Sequence, residues 1–189
     1  MDLFSYVMVL ASVIAGLAIT HLLQGIARIV QHPGRAKVYW VHLVWVAFAF
    51  EYVVLWWWFE FKFSTVTTWT FPLYAFILLY AVLLYLLCAL LFPIDLEGYD
   101  GFEDYFYSRR KWFFNLAIVI FLVDLLDTVS KGWAHFWSLG WHYPLSELLT
   151  PILFLIAIWT ANRRYHATLA VLVLIDQTVF AFVNYGIMQ

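Results

Sequence analysis

"LYAFILLYAVLLYLLCALLF", Leu73–Phe92, decides the fold. It carries no charge, and only its tyrosines and Cys88 interrupt the run of hydrocarbon side chains. A helix crosses a bilayer in roughly 20 apolar residues, whereas barrel strands alternate apolar and polar positions over about ten. This stretch does not alternate, so it reads as a transmembrane helix. Outward from it, apolar runs between polar breaks give six spans, at residues 3–30, 38–59, 71–92, 111–129, 144–161 and 167–187. The expected fold is all-α: a polytopic integral membrane protein, a compact bundle of six transmembrane helices in one domain over residues 1–189. Its loops are short except for Pro93–Arg110.

Composition agrees. The chain is 66% hydrophobic and 12% charged, against about 45–50% and about 25% for soluble domains, which leaves little room for a soluble unit. A formal net charge of −2 carries no footprint of a nucleic-acid partner. The single cysteine, Cys88, excludes an intramolecular disulfide and any multi-cysteine metal or iron–sulfur site. No cleavable signal peptide is expected, because Asp2 stands where a basic leader would begin. Nucleotide-binding glycine motifs, GxSxG and HExxH are missing, so no motif points to an enzyme. There is no voltage-sensor arginine ladder and no potassium-filter sequence either.

Lysine and arginine set the expected direction. Arg28, Arg35, Lys37, Arg109, Arg110, Lys111, Arg163 and Arg164 fall on one side of a six-span arrangement, and Lys62 and Lys131 on the other. The basic side should be cytoplasmic, with both termini extracytoplasmic, in the plasma membrane. Trp56, Trp57, Trp58 and Trp69, with Trp133, Trp137 and Trp141, gather at the opposite side as an aromatic belt among membrane lipids. "KGWAHFWSLGWHYP" spaces its tryptophans every four residues, as an interfacial helix would. In the long basic-side connection, Asp100 and Glu103 have capping-box spacing, and Phe102, Tyr105, Phe106 and Arg109 share a face. That predicts a short amphipathic helix on the cytoplasmic surface over about 100–110.

Ionisable groups at bilayer depth are expensive and point to paired or functional sites. His21, Gln24 and Arg28 form one stripe on span one. Glu51, Asp124 and Asp176 lie near mid-depth, with Asp127 and Glu147 nearer the outer interface. The expected proton or cation pathway comprises His21, Gln24, Arg28, Glu51, Asp124, Asp127 and Asp176, with carboxylates binding or relaying the ion and His21 gating it near the inner side. Span three carries no such group and reads as passive. His21 and His42, at matched depth on adjacent spans, suggest a second reading, a redox subunit ligating a b-type haem. A third is a non-catalytic assembly, sensing or lipid-organising protein whose polar groups only fix packing. No His, Asp and Glu set converges at metal-ligand spacing within one span. Ser12, Gly16 and Thr20 repeat every four residues, predicting a close-packing face and a central place for span one, and Gly25 predicts a kink or close contact. His21, Gln24 and Arg28 also match Asp124, Asp127 and Lys131 in spacing, a faint sign of an inverted repeat. A homo-oligomer or a partner membrane subunit fits any of the three readings.

Overall fold

In a computed structural model, residues 3–34, 37–66 and 68–185 are described; Arg35 and the end of the sixth expected span lie outside them. The described residues form helices and contain no strand. The helices are α1 (Leu3–Gln31), α2 (Trp40–Glu60), α3 (Phe71–Leu91), α4 (Phe102–Ser130), the short α5 (Trp133–Ser138), α6 (His142–Trp159) and α7 (Arg163–Tyr185), with a 3-10 turn at Phe61–Thr65. All but α5 are long and apolar enough to cross a membrane. Their uncovered faces carry residues such as Val13, Leu17, Leu79, Leu122 and Leu155, compatible with lipid contact.

The long helices close a ring. α1 touches α3, α3 touches α4, α4 touches α6, α6 touches α7, and α7 returns through α2 to α1. α2 also reaches across to α3 and α4. The first span is therefore a corner of the ring with two neighbours, not its centre. Its packing face is Ala11, Ala15, Ala18 and Leu22, all buried at steps of four and three. The Ser12, Gly16 and Thr20 face points away: a side chain added at Gly16 would meet nothing within 4 Å. Alanine allows equally close approach without a hydroxyl to satisfy, and Ser12 spends its hydroxyl on the Val9 carbonyl of its own helix, at 2.7 Å. Gly25 does make the expected close contact, because the Phe92 ring occupies the space a Cβ would need.

The expected surface helix over 100–110 is instead the first part of α4. Between Phe102 and Ser130 there is no glycine or proline to end the helix, so it runs for 29 residues. That is about 43 Å, longer than a hydrocarbon core of about 30 Å. Asp100 does not cap it; Gly101 holds the N-cap position. Gly101 has φ +144, and a Cβ there would run into the backbone of Lys37, whose carbonyl accepts the Phe102 amide at 3.0 Å. Phe102, Tyr105 and Phe106 turn into the core rather than toward lipid, while Arg109 stays exposed and donates to the Tyr99 hydroxyl at 2.9 Å.

Aromatic rings fill the middle of the bundle. Trp45, fully buried, has the rings of Phe48, Phe113, Phe114 and Phe154 within 5.2–5.9 Å. Phe154 continues to Phe121, and Phe121 to Tyr52. The offset and edge-on geometries are those that aromatic pairs prefer. This plug separates two ends of different chemistry.

Candidate functional site

At the basic end the polar side chains serve helix termini. The last carbonyls of a helix lack intrahelical donors, and in a membrane no water replaces them. At the end of α3, Tyr105 from α4 donates to Leu90 O at 2.9 Å, His42 from α2 to Leu91 O at 2.6 Å, and His21 from α1 to Phe92 O at 3.0 Å. Arg28 donates to Ile94 O at 3.0 Å. His166 does the same for α6, donating to Thr160 O at 2.9 Å. The third span, expected to be passive, is thus the element on which three neighbours converge.

Those bonds bear on the haem reading. His21 and His42 do lie at one level, but each commits Nε2 to a carbonyl, and His42 is stacked on Phe102 at 4.8 Å and edge-on to Phe92 at 5.1 Å. The Phe92 and Phe102 rings therefore pack directly against the His42 imidazole, whose Nδ1 is buried without a partner. Among the described residues no group of three or more His, Cys, Asp and Glu is placed to hold a metal ion.

At the tryptophan-rich end, α2, α4, α5, α6 and α7 enclose a cavity of about 70 Å³. A water needs about 10–15 Å³ of such space, so it holds a few waters or one small, partly hydrated ion. Asp124, Asp127, Glu147 and Asp176 line it, with Lys131 and His135 as the basic lining residues. Tyr52, Trp56, Phe121 and Tyr143 supply aromatic wall. Asp176 leaves the cavity unsealed, its side chain being 41% exposed.

The four carboxylates are held differently. Asp124 Oδ1 accepts from the Tyr80 hydroxyl at 2.6 Å, and Oδ2 from the Tyr143 hydroxyl at 2.9 Å. Tyr52 extends this chain, its hydroxyl 3.2 Å from that of Tyr80. Asp176 takes His142 on Oδ1 at 2.9 Å and Ser146 on Oδ2 at 2.7 Å. Asp127 shares the buried Lys131 ammonium with Glu60, at 2.5 and 3.0 Å. Burial opposes the Lys131 charge, but Glu60 and Asp127 outweigh it and hold its pKa above the ordinary lysine value. Asp127 Oδ1 and Glu60 Oε2 are left buried without a partner, but both carboxylates share the Lys131 ammonium. Glu147 has no such cation: it is 8% exposed, and its Oε2 is buried without a hydrogen-bond partner.

Of the seven residues expected to form a pathway, Asp124, Asp127 and Asp176 come together here. His21 and Arg28 belong to the basic end, and Gln24 is exposed there. Glu51 pairs α2 with α7 through Thr178, at 2.9 Å, and is not among the cavity-lining residues. The stripe on α1 and the Asp124, Asp127, Lys131 set share spacing but not surroundings: one caps a neighbouring helix, the other faces a cavity. The expected pathway left out Glu147, Glu60, Lys131 and the tyrosines. A signal was present in Tyr143, Glu147 and Thr150, whose steps of four and three put them on one face of α6.

Comparison with known protein families, with curated proteins and with solved structures finds no match to this chain.

Proposed function

We propose that this membrane protein binds a small cation at Glu147 and exchanges it for a proton, as one station of proton- or cation-coupled passage. The buried, unpartnered Oε2 of Glu147 carries this reading. An ionised carboxylate without a partner costs several kcal/mol in a protein interior, and a proton or a bound cation removes that cost. The lining charges lean the same way, with four carboxylates against Lys131. With the basic end in the cytoplasm, the cavity faces the extracytoplasmic side. Ser146 and the partly exposed Asp176, which His142 also bonds, line it on one side, and Asp124 lines it together with Tyr52 and Tyr143. The Trp45 cluster then closes the route to the other side, so passage requires these rings to move, as gating steps on the microsecond to millisecond scale do.

Reconstituted vesicles with an internal pH dye test this. A cation gradient should drive proton movement that Glu147→Gln abolishes and Asp176→Asn reduces. Equal movement in wild type and Glu147→Gln would remove the reading. The haem alternative has its own test: a Soret band lost in both His21→Ala and His42→Ala would establish it in place of transport.

A further inference from the structure

We infer that the cation suited to this cavity is ammonium or a small primary amine rather than a metal ion; this rests on the cation-binding reading of Glu147. Three observations converge.

The first is the number of free oxygens. Metal cations in proteins gather several oxygen ligands, six or more for calcium and six for magnesium. In the cavity, both oxygens of Asp124 accept tyrosine hydroxyls, both oxygens of Asp176 accept His142 and Ser146, and Asp127 is bound to Lys131. Two buried oxygens of the lining remain without a partner, Asp127 Oδ1 and Glu147 Oε2, and of these carboxylates only Glu147 has no cation beside it. One uncompensated charge and two open oxygens supply few ligands for a metal ion. That suits a monovalent ion whose own N–H groups make directional bonds.

The second is the wall. Tyr52, Trp56, Phe121 and Tyr143 line the same space, and aromatic faces attract ammonium groups by their quadrupole. Rings supplement one carboxylate for an organic cation, whereas they replace few of the oxygens that a divalent ion needs.

The third is a precedent inside the molecule. The Lys131 ammonium is the one such group lining the cavity, and it already sits between Glu60 and Asp127 with the Phe63 ring 4.9 Å away. A primary ammonium held by carboxylate oxygen and an aromatic face is therefore an arrangement this end of the bundle builds. Glu147 and its neighbouring rings offer the same chemistry with the ammonium still to be supplied. The cavity volume of about 70 Å³ limits the ligand to ammonium or an amine of a few heavy atoms.

The experiment is calorimetric titration of the full-length protein in nanodiscs with ammonium, methylammonium, sodium, potassium and calcium chlorides at matched ionic strength. Ammonium or methylammonium should bind about tenfold tighter than sodium or potassium, a difference of about 1.4 kcal/mol. Glu147→Gln should abolish that binding. It keeps the side-chain shape and removes an unpartnered charge, so it should fold at least as well as wild type. Trp56→Leu, a second variant, should weaken amine binding several-fold while sparing any metal binding. Sodium, potassium or calcium binding as tightly as ammonium, and still lost in Glu147→Gln, would overturn the amine assignment and leave the cation site standing. Binding of every cation unchanged in Glu147→Gln, or no binding at all, would overturn both.

Discussion

The two ends of the bundle use the same kinds of side chain to opposite effect. At the basic end His21, His42, Tyr105, Arg28 and His166 each find a backbone carbonyl, so helix-end acceptors are met, and only uncharged ring atoms such as Nδ1 of His42 and His166 are left without a partner among these side chains. At the tryptophan-rich end carboxylates outnumber the cations that line the cavity, and Glu147 is left without one. Matched polar groups in a low-dielectric interior hold a structure together. A surplus of one sign calls for something from outside.

The largest expected effect breaks the pairing at the cavity end. Lys131→Met leaves Glu60 and Asp127 buried without their cation and should lower unfolding stability by about 3–5 kcal/mol, read by denaturant titration in detergent. Adding Glu60→Gln and Asp127→Asn should recover most of it. Next, His42→Leu strips the donor from Leu91 O and should cost about 1–3 kcal/mol in the same assay, with cation binding intact. A variant that lost binding as well would join two ends that the aromatic plug divides. Glu147→Gln should go the other way, gaining about 1 kcal/mol in cation-free buffer because an unpartnered charge disappears. Gly16→Ala should also stabilise, by about 0.5–1 kcal/mol, since its Cβ meets nothing, while Gly25→Ala should destabilise through Phe92.

The smallest effect is a pH profile. His135, beside the cavity in α5, has its pKa pushed below the ordinary histidine value by partial burial and then by Lys131 and Lys62. The unfolded chain therefore takes up the proton first. The contribution of His135 to stability is complete above the unfolded value near 6.5 and declines as pH falls toward the lower folded value. His135→Gln should flatten the stability profile between about pH 7 and 5. An unchanged slope would assign it to other groups.

Leu73–Phe92 and the other spans were legible because hydropathy and helix length are local properties. The faces were not. Ser12, Gly16 and Thr20 have the right sizes for close packing, but Ala11, Ala15 and Ala18 have them too, and the neighbours decide which set is used. His21 reads as a gate or a ligand until its acceptor appears 71 residues later. Depth placed Asp124 and Asp176 together, but it grouped Glu51 with them and set Asp127 nearer the outer interface. Glu147 was noted at depth but left out of the pathway, because lacking a partner is a property of the folded arrangement, visible only once the other cavity carboxylates have been assigned theirs. The surface helix over 100–110 failed for a simpler reason: amphipathicity identifies a buried face without saying whether lipid or protein covers it.

The collar around the end of α3 has a consequence for biosynthesis. His21 and His42 emerge from the ribosome before the carbonyls of Leu91 and Phe92, so their donors already stand in the membrane when that terminus arrives. Leu90 must wait for Tyr105, 15 residues later. Chain order thus supplies two of the three side-chain donors in advance, and only the Tyr105 bond must form after α3 has entered the bilayer.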